Sequence, residues 1–262
     1  MPDYVPAASF IFECISALIA FGLPVGLGVW ICRSHKGAGH AILIGAFCFI
    51  VSVSVLEQIL HALVLSLCPG LTQNAAAFTL YGCLAAGVFE ETARLLGLRS
   101  LCKKDPAAAT GFAYGVGHGG AEAVLLVGMG LVSNLMVMYM LNSGQGASLV
   151  ENFTGEELAL AQQQLTTLAQ TPPLTFLAAG IERAYSLVFH IAMSVLVWMT
   201  VVKRLPMWGY AAAIGMHALV NVPAMLYQTG VLGNIWLAEA LGVALCAAAV
   251  TCVWQLYRRT AQ

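Results

Sequence analysis

Long apolar runs broken by short polar joints dominate the chain. Seven runs are each long enough to cross a bilayer as a helix, at 8–32, 40–67, 75–99, 107–141, 173–202, 207–229 and 231–257. About 20 apolar residues span the hydrocarbon core, and only helices or closed barrels satisfy their backbone there. The pattern predicts an all-α fold, a polytopic membrane helix bundle of seven transmembrane helices within one integral-membrane domain over 1–262. The 107–141 run exceeds the bilayer and has to tilt or project beyond it. The connection 142–172 is the one long joint. Within it, Thr154-Gly-Glu-Glu157 has the form of a helix capping box, and Leu158, Ala161, Leu165 and Leu168 recur at helical spacing. That predicts a short amphipathic helix on the membrane surface, a plain connector or a gate to the bundle.

Charge fixes the expected orientation. Only 9% of the 262 residues are charged while 60% are hydrophobic, against about 25% charged in a soluble domain. Nine of the basic residues, Arg33, Lys36, Arg99, Lys103, Lys104, Lys203, Arg204, Arg258 and Arg259, fall in alternate joints or at the C-terminus. The joints 68–74, 142–172 and 230–234 contain no Lys or Arg. The positive-inside rule then places the N-terminus out and the C-terminus in. Residues Met1 to Phe10 include Asp3 and no basic residue, unlike a cleavable signal peptide. Eight scattered cysteines without a C-x-x-C argue against a disulfide framework or a cysteine zinc knuckle. The net charge of −1 points to no class of partner.

Against this apolar background a few ionisable groups stand out. His118, His190 and His217 lie on the fourth, fifth and sixth runs, and Glu90-Glu91 on the third. Each such group costs roughly 2.5 kcal/mol or more to insert. Counting from the basic joints, the three histidines come out about 15–20 Å deep and the glutamates about 12–14 Å. Four helices thus carry polar groups to one level, the mark of a single buried site. Glu90 and Arg94 are i,i+4, a spacing that lets Arg94 neutralise Glu90 and leaves Glu91 as the freer base. His118 with Glu122, His190 with Ser194 and His217 with Asn221 share that spacing, and Arg183 lies on the stripe of His190. Glu57 with His61, Glu13 and Glu239 lack comparable partners; Glu13 and Glu239 read as groups near the interface. Gly111, Gly115 and Gly119, four apart, line one face of the fourth run and invite close helix packing.

Several chemistries fit. A carboxylate beside histidines can activate water. Three histidines (His118, His190, His217) can hold zinc with an open position. His217 and Asn221 can instead donate to a developing oxyanion. All lead to hydrolysis of a carbonyl compound within the membrane. A proton-coupled transporter or channel is the rival, since buried Glu/His chains also serve as relays, although relays run through successive depths.

The motifs Phe89-Glu-Glu-Thr-Ala-Arg94, Gly117-His-Gly-Gly-Ala-Glu122, Phe189-His190 with Ser194, and His217-Ala-Leu-Val-Asn221 resemble the YhfC family of intramembrane metalloproteases. The resemblance covers about residues 80–225. It extends to the CPBP (type II CAAX prenyl protease) group, the PrsW proteases and the Aph subunit of gamma-secretase. It implies an intramembrane protease of a bacterial cytoplasmic membrane, acting on a membrane-embedded or membrane-associated polypeptide and not on nucleic acid. It also implies Glu90 and His118 as the water-activating pair and His217 with Asn221 as oxyanion support; Tyr114-x-x-x-His118 matches the aromatic form of that motif. Arg94 follows Glu91 by three residues, the PrsW spacing, where CPBP proteases have four. The resemblance thus favours Glu90 as base and the ion-pair argument Glu91. Aph adds a third implication, a membrane scaffold without proteolysis of its own.

Overall fold

The computed structural model describes residue 2 and residues 4–260; Met1, Asp3, Ala261 and Gln262 lie outside the described residues. Its helices are α1 Ala7–Ser34, α2 Ala38–Leu67, α3 Ala75–Leu101 and α4 Ala108–Asn142. They continue with α5 Gly155–Gln170, α6 Phe176–Val201, α7 Trp208–Gln228 and α8 Ile235–Thr260. Among the described residues there is no strand. Apart from α5, each helix coincides with one of the seven apolar runs. Six of them are long and apolar enough to cross a membrane. The exception is α3, whose 27 residues reach about 40 Å at 1.5 Å per residue. Its hydropathy is diluted by Glu90, Glu91, Arg94 and Arg99, the first three of which turn inward and are buried.

Two helices are not uniform. α2 widens into a π-helical stretch at Ile50–Glu57, and α4 does so at Ala123–Gly128, directly after Glu122. Such stretches insert a residue into the turn and shift the side chains that follow, and they recur at functional sites. Here they sit on the two helices that flank the buried ionisable groups.

Helix α6 forms the axis of the bundle. In its most apolar window 61% of the residues are buried, against 22–28% for the other five candidate spans. Met193, Leu196, Val197, Trp198 and Met199 of α6 anchor the main core with Leu98, Tyr114, Ala213 and Cys246. The glycine stripe of α4 meets α6 as its spacing predicts. A Cβ at Gly115 would lie 2.6 Å from the Ile191 Cα, and one at Gly119 2.9 Å from the His190 Cβ. Only hydrogen fits there, so the backbone carrying His118 comes directly against the backbone carrying His190. Outward positions such as Leu18, Leu43, Leu63 and Leu80 are exposed apolar side chains, as lipid-facing surfaces require.

The two ends of the bundle differ. At the basic end His35 Nε2 pairs with Asp105 Oδ2 at 2.6 Å, and Trp198 Nε1 donates to the Pro106 carbonyl at 3.0 Å. At the end without Lys or Arg, Asn142 exchanges hydrogen bonds with the Val5 backbone at 2.7 and 3.0 Å. There the Ser16 hydroxyl donates to the Phe176 carbonyl at 2.7 Å. α5 lies at this end, with Leu168 and Ala169 packed on a cluster of Val5, Met138, Leu141 and Phe176. Thr154 does precede its first turn. However, its hydroxyl makes no capping bond, and Gly155 opens the helix at φ +57°, so the capping-box reading fails in detail.

A buried carboxylate–histidine centre

The polar residues picked out by depth do converge. Glu90, Glu91 and Arg94 come from α3, His118 from α4, His190 from α6 and His217 from α7, and all six are buried. The His118 and His190 rings lie 5.2 Å apart, centroid to centroid, and those of His190 and His217 5.3 Å. Phe49 and Tyr114 pack against His118, and Phe189 against both His190 and His217, closing the centre with aromatic walls.

Glu90 occupies the middle. Its Oε2 lies 2.9 Å from His118 Nε2 and 3.9 Å from His190 Nδ1, and its Oε1 lies 3.4 Å from His217 Nε2. Each imidazole therefore turns one nitrogen toward the same carboxylate. Behind two of them stands a second carboxylate. Glu91 Oε1 accepts from His217 Nδ1 at 2.7 Å, and Glu122 Oε2 faces His190 Nε2. Arg183 holds Glu122 in turn, with Nη1 2.6 Å from its Oε1, while Nη2 reaches Glu182 at 2.8 Å.

The local pairing expected for Arg94 is corrected. Its Nη1 donates to Glu91 Oε1 at 2.5 Å, an i,i+3 contact, and its Nη2 lies 3.0 Å from His190 Nδ1. Both spacings are within reach on a helix. His217, arriving on α7, bonds the same Glu91 oxygen and settles the choice. Glu91 is thus the neutralised carboxylate, and Glu90 the one left facing the histidines.

Tautomers follow from donor chemistry. A guanidinium only donates, so His190 Nδ1 presents a lone pair to Arg94 and its ring proton sits on Nε2, toward Glu122. His217 gives its Nδ1 proton to Glu91, which leaves Nε2 toward Glu90. Backing an imidazole with a carboxylate is how proteins orient metal-ligating histidines.

The supporting residues divide. Ser194 spends its hydroxyl on the His190 carbonyl at 2.8 Å, so it stiffens α6 and does not enter the centre. Asn221 does not touch the core of the cluster; it lines a polar cavity of about 490 Å³ beside it, together with Glu122, Arg183, Glu57, His61 and Tyr81. Glu57 therefore belongs to the surroundings of the site, with His61 as its recorded partner. Its signal was the i,i+4 spacing to His61, which the structure bears out at 3.3 Å. Glu13 is buried and accepts from Asn134 Nδ2 at 2.8 Å.

Donor atoms of Glu90, His118 and His190 all lie within 4.8 Å of one another. Nitrogen and carboxylate donors in a buried cluster suit a zinc-class divalent ion. The lone pair of His217 Nε2 aimed at an anionic carboxylate also favours a cation among them, and His118 Nδ1 is buried without a protein partner. The residues present fit a metal. This closest set contains Glu90, with His217 adjoining it, where sequence alone suggested the three histidines.

Fold and site together define a class: a polytopic helical membrane protein with a buried glutamate–histidine centre. The model of the family "YhfC intramembrane metalloprotease" matches residues 15–241. The chain is also 36% identical over 247 residues to the "Uncharacterized membrane protein YhfC" of Bacillus subtilis (strain 168), covering 93% of this chain and 94% of that protein. The chain belongs to the YhfC family. No solved structure matches it.

Proposed function

We propose that this protein is an intramembrane peptidase whose hydrolytic centre is Glu90 with His118, His190 and His217. In this reading α3 is a seventh crossing, held in the bilayer by the partners of its charged groups, and the basic end faces the cytoplasm of a bacterium. The observation that carries the proposal is one carboxylate facing three imidazole nitrogens, two of them backed by further carboxylates. A structural ion-pair network would need no such convergence from four helices. The family name and the fit to a divalent ion support the same reading.

The chemistry follows from what each side chain can hold. Water adds hydroxide to the scissile carbonyl carbon, the C–N bond breaks, and the departing amine takes up a proton. Glu90 accepts the water proton at Oε1, where His217 Nε2 lies 3.4 Å away to share it, and then returns it to the amine. Glu91 fixes the His217 ring through Nδ1, and Arg94 holds the Glu91 carboxylate in place. Glu122, itself held by Arg183, fixes His190. Asn221, one turn beyond His217 on the cavity wall, is placed to donate to the carbonyl oxygen as it gains charge. Glu90, His118 and His190 are the residues that would hold a zinc-class ion, which supplies Lewis-acid polarisation when bound.

Elemental analysis of the purified protein beside Glu90→Gln, His118→Ala, His190→Ala and His217→Ala tests the reading, together with cleavage of membrane peptides by the same samples. The expected result is stoichiometric metal in the wild type, lost with Glu90, His118 or His190, and cleavage lost in all four variants. Undiminished cleavage by Glu90→Gln and His118→Ala would overturn it.

A further inference from the structure

The cavity beside the centre holds more carboxyl groups than its one cation can balance. Glu57, Glu122 and Glu182 line it, and Arg183 is already taken by Glu122 and Glu182. A second cavity of about 360 Å³ adjoins it through Glu182, Ala224 and Gln228, toward the end without Lys or Arg, and adds Glu13 and Glu239. Its wall includes Thr171 and Thr175 from the segment after α5, so the two cavities trace a route inward from that end.

Glu57 is the pivotal residue on this route. It ends the π-helical stretch of α2 and is only 4% exposed. Its Oε1 lies 3.3 Å from His61 Nε2, whose Nδ1 is 2.7 Å from the Tyr81 hydroxyl. With Tyr81 donating to Nδ1, the imidazole proton sits on Nε2 and points at Glu57. Glu57 Oε2 is buried without any partner, on a side chain that lines the cavity. A carboxyl group so placed needs a donor or a positive charge. The carboxylates of this cavity do not gather into a chelating set as Glu90, His118 and His190 do, which points away from a second metal ion.

Resting on the peptidase reading, we propose that this cavity receives a cationic group of the polypeptide substrate, an ammonium or guanidinium, and that Glu57 recognises it. The group reaches Glu57 Oε2 while the adjoining backbone passes Glu122 and Asn221 toward Glu90. The His61–Tyr81 pair positions Glu57.

The test uses the full chain carrying Glu90→Gln, in lipid nanodiscs, with a fluorescein-labelled Leu/Ala membrane peptide of about 20 residues. Lys, norleucine or Glu is placed at each of four successive positions. The Lys peptide at its best position should bind about ten-fold tighter than the norleucine peptide, the scale of one charge-assisted hydrogen bond. The Glu peptide should bind worst, and Glu57→Gln should erase the difference. Equal affinity for the Lys and norleucine peptides at every position overturns the inference without reliance on any Glu57 variant. So does a preference that survives Glu57→Gln in protein with an unchanged unfolding temperature. Cleavage by the protein with native Glu90, read separately, distinguishes the two claims. Cleavage without charge preference defeats this inference alone, and selective binding with no cleavage defeats the peptidase reading alone.

Discussion

Removing Arg94 tests the electrostatic architecture most sharply. The side chain is fully buried and holds Glu91 at 2.5 Å and His190 at 3.0 Å. Arg94→Met keeps most of the volume but leaves the buried Glu91 carboxylate without its cationic partner, with only His217 beside it. Breaking one partner out of a buried pair costs about 3–5 kcal/mol. At about 2–4 °C per kcal/mol for a domain of this size, the unfolding temperature in detergent should fall by roughly 10 °C. The second substitution identifies the partner. Adding Glu91→Gln removes the stranded charge while keeping an oxygen for His217, and should recover more than half of the loss. Some deficit remains, because His190 Nδ1 still lacks its donor, a penalty of about 1–3 kcal/mol. Adding Glu90→Gln instead should recover little. Intrinsic fluorescence during heating reads all four proteins. An Arg94→Met variant as stable as the wild type, or rescue by Glu90→Gln and not by Glu91→Gln, would refute the assignment of Glu91 as the neutralised carboxylate.

Gly115→Val should reduce the folded yield sharply, since its Cβ would sit 2.6 Å from the Ile191 Cα, whereas Gly26→Ala, with nothing within 4 Å, should behave as wild type on size exclusion. Ser194→Ala should leave cleavage within about two-fold and cost under about 1 kcal/mol, because its hydroxyl only caps a carbonyl of its own helix; loss of activity in folded protein would return Ser194 to the centre. At the basic end, partial burial would raise the Asp105 carboxyl, but hydrogen bonds from His35 and the Ala107 amide hold it below its ordinary value. A depressed folded pKa contributes stability above the unfolded value of about 3.9 and loses it as pH falls through the folded one. Asp105→Asn should therefore lower the unfolding temperature at pH 7, and the gap should close under strongly acidic conditions; a gap that widens on acidification would contradict the pairing.

The helices were legible because membranes make them so. Apolar runs of 20 or more residues separated by polar joints, basic at every second one, leave little freedom, and each run matches a helix to within a few residues. Depth counting along the runs was enough to bring His118, His190 and His217 together, because a helix converts residue number into height at a fixed rise. Rotation and register between helices were not readable. The choice of Arg94 between Glu90 and Glu91 turned on His217, 126 positions away from Glu91 in sequence. The π-helical stretches, which reset the facing of Glu57 and the turn after Glu122, arise from tertiary packing and leave no periodic trace. Glu57 and Glu13 were set aside because the cavities they line, and Asn134 as the partner of Glu13, come together only in the assembled bundle. Asn221 illustrates the remainder, placed correctly one turn from His217 yet facing the cavity and not the cluster.

The central claim is that Glu90 and the three histidines cut polypeptides in the membrane. Its most direct test compares the new N- and C-termini of membrane proteins in cells expressing the wild type with those in cells expressing Glu90→Gln or His118→Ala at equal levels. Termini within or beside membrane spans should be present only with the wild type. Identical sets of termini from all three, with each protein folded and inserted, would contradict it.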